Sequence, residues 1–322
     1  MKRVLIITNR HDSHADCLIQ KFHERRILFL RFNTDDFPVM NIFTLCHVGA
    51  GDARLEIEMY GEKCSSEDIR SVWYRRPLQF GVDQSMVDPE ARKFADDEAR
   101  AFTEGLWATI ECRVVSPLHN IRRANHKILQ LKVAKQIGFE IPWTLVTNDP
   151  SEFAGFWDLC RGEVIYKPMG QNIIRDKEGG IKFAYTNKLT KDFLVNTERI
   201  KYAPCLFQEY VDKQLELRIT VVGDEVFTCE IHSQKSDKTK IDWRHYDIAN
   251  TPHKIGKLPE EIEKKCVALV RHFGLEFGAI DMILTPGGEY KFIEINPNGQ
   301  WLWIEELTGL PISEAMFNLL TK

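Results

Sequence analysis

Two glycine-rich phosphate-binding motifs are missing from this sequence. It contains neither G-x-x-x-x-G-K-[ST] nor G-x-G-x-x-G, so neither a P-loop nor a Rossmann dinucleotide site is expected. No nucleophile with a neighbouring base stands out. His11 and His14 near Asp12 and Asp16 could mimic a metal cluster, but a polar loop after the first strand is the favoured interpretation. Internal repeats and low-complexity segments are absent as well.

Long apolar runs and a strong charge of one sign are also missing. The longest apolar runs, such as residues 4–7, are far too short to cross a membrane. The first residues have neither the apolar length nor the cleavage site of a signal peptide. The formal net charge of -4 does not suggest a general nucleic-acid-binding protein. We therefore expect neither a membrane nor a nucleic acid as partner.

Paired cysteines are absent too. None of the eight cysteines forms a C-x-x-C motif, and several lie inside apolar runs, as Cys205, Cys229 and Cys266 do. Reduced, mostly buried thiols are therefore expected rather than a disulfide framework. This expectation favours a cytoplasmic location.

The first part of the chain has the pattern of an α/β domain. Its predicted strands are 2–8, 28–32, 54–60 and 71–77. Its predicted helices are 15–26 and 89–110. The β-α-β opening favours a parallel sheet. A domain boundary is expected near Ser116 and Pro117.

The rest of the chain has the pattern of an α+β protein. A helix is predicted at 126–138 with Gly138 as its cap, and a second helix at 259–273. Short strands are predicted at 142–146 and 163–167, with a hairpin turn at 176–180. Further strand-like runs follow after Pro204, at 205–211, 215–223, 225–233, 278–284 and 290–296. Their close spacing favours an antiparallel sheet.

The last two of these runs carry the strongest chemical signal. Pro286-Gly287-Gly288 between them is a turn sequence. If Gly287-Gly288 forms a two-residue loop, Asp281 lies directly opposite Glu294, and Asn296 points to the same face.

Facing carboxylates in an apolar strand pair are unfavourable, because they repel each other and resist burial. A hard divalent cation such as Mg²⁺ would relieve both penalties, since it prefers oxygen ligands and often shares them with phosphates. The predicted metal ligands are therefore Asp281, Glu294 and Asn296. The alternative is a solvated hairpin face with salt bridges to Lys or Arg.

The order of further motifs resembles the ATP-grasp superfamily. Its magnesium motif is an Asp on one strand and Glu-x-Asn on the next, as in Asp281 and Glu294-Ile295-Asn296. Its other motifs match Lys127, Lys167, Gln208-Glu209-Tyr210-Val211, Glu216-x-Arg218 and Asp242-Trp243-Arg244.

Within the superfamily, the whole chain is most similar to microviridin-type, or graspetide, peptide macrocyclases. The segments that carry this likeness are RFNTDDFP (31–38), VWYRR (72–76) and ANHK (124–127). Generic ATP-grasp ligases do not have them. Asn33 departs from the pattern, because many relatives have Asp there.

The resemblance implies a three-lobed ATP-grasp fold with an N-terminal α/β pre-ATP-grasp domain. That domain would span 1–115, the central lobe 116–207 and the C-terminal lobe 208–322. The cofactors implied are ATP and Mg²⁺.

The resemblance also implies a role for each motif. Lys127 and Lys167 would contact the α- and β-phosphates, and residues 208–211 would bind adenine through their backbone. Glu216 would bind the ribose hydroxyls or, equally, pair with Arg218 or Lys213. The catalytic residues would be Arg218 and Arg244, which stabilise charge on the γ-phosphate and the acyl phosphate. Asn298 is a weaker candidate near the metal or the acyl group.

The implied partner is a precursor peptide with a leader and a core. An Asp or Glu carboxylate of the core would be activated as an acyl phosphate and joined to a Thr or Ser hydroxyl or a Lys amine. The result would be a macrolactone or a macrolactam. The leader surface would be 172–185 and 190–200, where basic residues suit an acidic peptide: Arg175, Lys177, Lys182, Lys188 and Lys191. A solvated charged face is the alternative there.

Two further expectations come from the same resemblance. A homodimer is implied, and Trp73, Arg75 and Arg76 are expected in a structural role or at a subunit contact. The competing function is an ATP-grasp ligase that adds free amino acids to a protein tail or a small acceptor. It would share the core motifs but would leave the 31–38 and 72–76 segments unexplained.

Overall fold

The computed structural model describes residues 2–40, 42–47, 54–59, 61–170, 173–175, 180–183, 185–245 and 247–322. The α-helices of this part are Ser13–Glu24, Pro89–Ala108, Leu118–Ala124, Lys127–Ile137, Pro150–Leu159, Glu260–His272, Leu302–Thr308 and Ile312–Thr321. Its 3-10 helices are Ser66–Asp68, Lys191–Tyr202, Ser233–Lys235, Trp243–His245 and Ile248–Asn250.

The N-terminal sheet is parallel, as the β-α-β pattern predicted. Its strand order is Phe29–Asn33, Arg3–Thr8, Ile69–Tyr74, Arg113–Val115. The central strand is almost wholly apolar because both of its faces are covered. Leu5 and Ile7 pack in the core of the N-terminal domain, whereas Val4 and Ile6 pack in a core shared with the C-terminal part of the chain.

A small antiparallel sheet is attached to this domain. It consists of Ile42–His47, Arg54–Met59 and Glu62–Ser65. Ile57 and Met59 are buried on one face, as their alternation predicted.

The middle sheet is antiparallel and has the order Asn187–Lys188, Val164–Lys167, Cys205–Glu209, Thr144–Thr147. The helix Pro150–Leu159 packs against it; sequence analysis did not predict this helix, although Asp149 caps it and Pro150 opens it. A separate antiparallel pair is formed by Ile173–Arg175 and Ile181–Phe183. The turn predicted between them, at 176–180, lies mostly outside the described residues. The predicted domain boundaries stay predictions.

The C-terminal sheet positions the site. It is antiparallel, in the order His253–Ile255, Glu225–Ile231, Leu215–Val222, Phe277–Leu284, Tyr290–Asn296. Because side chains alternate along a strand, Ile280 and Asp281 point to opposite faces. Ile280 packs in the core that includes residues of helices Lys127–Ile137 and Glu260–His272. Asp281 lies on the face of Ala279, which shares a core with the N-terminal sheet and the last two helices.

Two predictions about the whole chain can be compared with the described residues. None of the helices there has the length and the apolar character needed to cross a bilayer. The cysteines described there are all free, and four of them are buried: Cys64, Cys160, Cys229 and Cys266.

Candidate active site

The strand pair Phe277–Leu284 and Tyr290–Asn296 places Asp281 directly opposite Glu294, as predicted. Asn296 reaches the same place, because its Nδ2 donates to Asp281 Oδ2 at 3.1 Å. The three polar side chains predicted as metal ligands are therefore adjacent in space.

The two-residue loop on which that pairing was based is wrong. The amide of Thr285 donates to the carbonyl of Glu289 at 2.9 Å, which leaves a three-residue loop whose last member, Gly288, has φ +83°. A bulge in the ladder between Asp281 and Met282 absorbs the extra residue. The predicted pairing is correct because the two deviations cancel.

Arg218 from the neighbouring strand holds Asp281. Its Nη1 lies 2.9 Å from both carboxylate oxygens of Asp281, and its Nη2 donates to the Gln300 carbonyl at 3.1 Å. Arg218 stands opposite Asp281 in the ladder, so the register alone sets this contact. The sequence left Arg218 and Lys213 as possible partners of Glu216, and the pair with Arg218 is not formed.

Two lysines from other parts of the chain hold Glu294. Lys127 Nζ at the start of its helix lies 2.5 Å from Glu294 Oε2, and Lys167 Nζ at the end of its strand lies 2.9 Å from the same oxygen. Arg244 Nη1 lies 3.9 Å from the other oxygen. The fold therefore brings the predicted phosphate-binding lysines to the predicted metal ligand.

The two carboxylates differ in their proton affinity. Burial, reinforced by the charge of Glu294, raises the pKa of Asp281 despite the neighbouring Arg218. Burial acts in the same direction on Glu294, but Lys167, Lys127 and Arg244 prevail and hold the pKa of Glu294 well below its ordinary value. Burial lowers the pKa of Lys167. The neighbouring cations therefore favour the charged form of Glu294, whereas the charged form of Asp281 would be stabilised further by an added cation.

This group of side chains fits a polyphosphate bound together with a divalent cation. Four cationic side chains surround two carboxylates, so the site has surplus positive charge: Lys127, Lys167, Arg218 and Arg244. Phosphate oxygens would replace Glu294 as the partners of the two lysines, and the carboxylates would then be available to a hard metal ion.

The protein alone supplies few metal ligands here. No group of three or more His, Cys, Asp or Glu side chains suited to a metal occurs in the described ranges. The site offers two carboxylates and the amide of Asn296, which presently turns its nitrogen toward both carboxylates. Its oxygen would face a metal only after the amide rotates. Such a short ligand set suits Mg²⁺, which commonly completes its shell with phosphate and water.

A cleft with an empty volume of about 660 Å³ extends from Glu294 to the segment 208–211. The amides of Glu209 and Tyr210 donate to the carbonyls of Trp143 and Glu163, both at 2.9 Å. The Gln208 side chain donates to Thr144 Oγ1 at 2.9 Å. The Val211 amide has no hydrogen-bond partner in the described part of the chain. Val211 is thus the residue of this segment whose amide is available to a ligand in the cleft.

Glu216 lines the same cleft and pairs with Lys213. Lys213 Nζ lies 2.9 Å from Glu216 Oε1, and Ser233 Oγ donates to the same oxygen at 2.9 Å. Burial raises the pKa of Glu216 in spite of Lys213. The second oxygen of Glu216 has no hydrogen bond from a described residue.

Arg244 is clamped by Asp242. Its Nε and Nη2 lie 2.8 and 2.7 Å from the two Asp242 oxygens, and the amide of Thr186 donates to Asp242 at 3.2 Å. Although burial opposes ionisation, these contacts raise the pKa of Arg244. Asp242 therefore fixes the direction in which Arg244 presents its remaining nitrogen to Glu294.

A second, wider cleft begins on the other side of the carboxylates. Its empty volume is about 1000 Å³, and it shares Trp243, Arg244, Asp281 and Glu294 with the first cleft. Asn298, a weaker candidate in the sequence, lines it, as does Arg76 from the N-terminal domain. The carboxylate pair is thus the junction at which two molecules could meet.

Sequence analysis missed Thr186, which belongs to no recognised motif and which a contact between distant segments brings to the site. It named Lys213 only as a possible partner of Glu216, and the second contact of Lys213, to the Ile241 carbonyl, was not predicted. His14 does not lie in a polar loop. Asp12 caps the helix Ser13–Glu24, and His14 is buried in the first turn of that helix. Of the predicted leader surface, 190–200 falls in the 3-10 helix Lys191–Tyr202, and much of 172–185 lies outside the described residues.

Comparisons with known proteins agree with this geometry. A family model described as the MvdD pre-ATP grasp domain matches residues 3–122. No curated protein sequence matches the chain.

Solved structures match over nearly the whole length. An ATP-grasp ligase of Chryseobacterium gregarium, associated with ribosomally made, modified peptides (RiPPs) and solved with ADP and a leader and core peptide, is 34% identical. The match covers 99% of this chain and 96% of that one, with a TM-score of 0.92.

The macrocyclase MdnC of Microcystis aeruginosa, bound to the precursor peptide MdnA, is 32% identical over 99% of both chains, with a TM-score of 0.87. The macrocyclase MdnB of the same organism is 30% identical, over 100% of this chain and 99% of that one, with a TM-score of 0.82. The predicted ATP-grasp fold with a pre-ATP-grasp domain is thereby confirmed. This chain belongs to the family of RiPP-associated ATP-grasp ligases that includes the macrocyclases MdnC and MdnB.

Proposed function

We propose that this protein is an ADP-forming ligase that cyclises a ribosomal precursor peptide. It activates Asp or Glu side-chain carboxylates of the peptide and joins them to Thr or Ser hydroxyls or to Lys amines. The observation that carries the proposal is the position of Asp281 and Glu294 where two clefts meet. The relatives support it, since one is bound to ADP with a leader and core peptide and another to its precursor peptide.

ATP is assigned to the narrower cleft. The free amide of Val211 in the segment Gln208 to Val211 receives adenine, and the second oxygen of Glu216 accepts from the ribose hydroxyls. Lys127 and Lys167 neutralise the α- and β-phosphates.

Mg²⁺ is assigned to Asp281, Glu294 and Asn296. When bound, it neutralises phosphate oxygens and orients the terminal phosphate for in-line attack. The opposite pKa shifts of the two carboxylates suit this role, because the neighbouring cations favour the charged form of Glu294, and a bound metal ion would favour the charged form of Asp281.

The reaction then has two steps. A substrate carboxylate oxygen attacks the γ-phosphorus, the bond to the bridging oxygen breaks, and ADP and an acyl phosphate result. A hydroxyl or amine next attacks the acyl carbon, and inorganic phosphate leaves with the negative charge, while the proton of the nucleophile goes to phosphate or solvent. Arg218 and Arg244 stabilise the charge that develops on the transferred group. Each bond formed removes one water from the peptide.

The peptide is assigned to the wider cleft, and its leader to the surface formed by 172–185 and 190–200. The product is a macrolactone or macrolactam of the microviridin type. A cytoplasmic location goes with this role, because the described cysteines are unpaired and ATP is consumed.

A homodimer is also part of the proposal, and the helix Pro89–Ala108 supports it. Only three of its 20 residues are buried, while Phe94 is 66% exposed on its outer side. Of the charges on its flank, Arg100 and Glu104 are already paired with Asp96 and Arg122, so the exposed ring of Phe94 is the feature that favours a second copy. Light scattering should give twice the chain mass for the native protein and the single-chain mass for Phe94→Glu. A native monomer would contradict the dimer.

The function is tested with the peptide encoded by a short neighbouring gene. Incubation with ATP and Mg²⁺ should remove one water per ring, as seen by mass spectrometry, and the same mixture without ATP should leave the mass unchanged. ATP consumption that requires a free amino acid, with no loss of water from the peptide, would favour the amino-acid ligase instead.

A further inference from the structure

The two adjacent arginines of the 72–76 segment have no role in the proposed function, yet they have very different surroundings. Arg75 is 1% exposed. Arg76 is exposed and lines the wider cleft, although it belongs to the N-terminal domain. The segment therefore brings one buried and one accessible guanidinium to the edge of the proposed peptide site.

Arg75 fixes the backbone from which Arg76 projects. Its Nη1 donates to the Asn298 carbonyl at 2.5 Å, and its amide donates to the Ile7 carbonyl at 2.9 Å. The carbonyl of Arg76 accepts from Asn9 Nδ2 at 2.7 Å. Two separate segments, residues 7–9 and the loop at Asn298, thus hold this short stretch in place, so the cleft wall at Arg76 is preorganised.

Arg76 is also the unsatisfied cation of that cleft. Arg218 is bonded to Asp281 and the Gln300 carbonyl, and Arg244 is bonded to Asp242. The Arg76 side chain has neither a hydrogen bond nor an ion pair with any residue in the ranges that the structure describes. An arginine in a fixed wall, with its donors free, matches a carboxylate in charge and geometry.

We propose that Arg76 binds the Asp or Glu side-chain carboxylate that is to be activated. This inference rests on the proposed function. Before attack, that carboxylate must approach a triphosphate of the same sign, so a cation on the peptide side of the junction is required to hold it. The hydroxyl nucleophile is neutral, so it needs no cation to hold it near the triphosphate. Arg76 is therefore a substrate-binding residue supplied by the N-terminal domain.

The test is a double-mutant cycle between Arg76 and the peptide. Affinities are measured by fluorescence anisotropy with ADP and Mg²⁺, so that no turnover occurs, for the peptide of the neighbouring gene and for a version with Gln or Asn at the acyl-donor positions. Native protein should lose about 10- to 100-fold in affinity when the carboxylate becomes an amide. Arg76→Gln should bind both peptides equally weakly.

Arg26→Gln is the matched control, because Arg26 is an exposed arginine of the same domain outside both clefts. It should keep the native preference for the carboxylate. The role of Arg76 would be overturned if changing the carboxylate to an amide lowered the peptide affinity equally in Arg76→Gln and in native protein. It would also be overturned if Arg76→Gln bound ADP more weakly but kept the native preference for the carboxylate peptide. If native protein neither binds nor cyclises the peptide, the proposed function itself fails.

Discussion

The two clefts that meet at Asp281 and Glu294 differ in whether all of their cationic side chains are already paired. In the narrower cleft the cations have partners within the protein, as Lys167 has Glu294 and Lys213 has Glu216. In the wider cleft Arg76 has no such partner among the described residues. A nucleotide always carries the same charges, so internal ion pairs can keep its site folded until phosphate replaces them. A peptide site gains more from an arginine left free for its substrate.

The largest effect should come from the residue that both clefts share. Glu294→Ala removes the partner of Lys127 and Lys167 and a proposed metal ligand, so turnover should fall at least about 1000-fold. Circular dichroism should show a folded protein. Glu289→Ala is the control, since Glu289 is exposed at the tip of the same hairpin. Normal turnover by Glu294→Ala would show that the metal assignment is wrong.

An intermediate effect should follow when the clamp on Arg244 is weakened. Asp242→Asn removes the charge that orients the guanidinium, so kcat should fall about 10- to 100-fold while the dissociation constant of ATP stays within about threefold. Single-turnover kinetics and nucleotide titration separate the two. Asp237→Asn, at an exposed aspartate that pairs with Lys240, should change neither. If the affinity for ATP fell by the same factor as kcat, Arg244 would act in nucleotide binding rather than in phosphoryl transfer.

The smallest effect concerns His14, whose Nε2 accepts from the amides of Trp301 and Leu302 at 3.1 and 3.2 Å. These two residues follow Gln300, which lines the wider cleft. Burial lowers the pKa of His14 below its usual 6.5. Below about pH 6.5, His14 therefore binds a proton in the unfolded chain but stays neutral in the native protein. The free energy of unfolding then declines as the pH falls.

This decline is tested with His14→Gln, which keeps an acceptor but does not titrate. Between pH 7 and pH 5 the native protein should lose more stability than the variant, by at most about 1.4 kcal/mol per pH unit, in urea unfolding. Parallel curves for the two proteins would show that His14 is protonated equally in both states.

Local patterns in the sequence were enough for much of the fold and for the centre of the site. Alternation and turn residues predicted the strands, and the pairing of Asp281 with Glu294 followed from counting residues across the hairpin. Arg218 joins them because it stands opposite Asp281 in the ladder. Side chains that are set by register can be placed from sequence where the ladder is continuous. In this hairpin the predicted pairing is correct because the three-residue loop and the bulge beside Asp281 offset each other.

Contacts between distant segments could not be predicted in this way. Thr186 meets Asp242 across 56 positions, and Arg75 meets Asn298 across 223. The resemblance marked the 72–76 segment as distinctive, but nothing in its residues says that Arg75 turns inward and Arg76 outward. That difference depends on the loop 297–300, which packs against the N-terminal sheet only in the folded chain.

The bulge beside Asp281 has a practical consequence. Because it lies between the loop and the carboxylates, it separates the geometry of the tip, Thr285 to Glu289, from that of the site. The tip is therefore the place on this hairpin for inserting a fluorescent label or an affinity tag, and enzymes tethered or tracked through it should keep working.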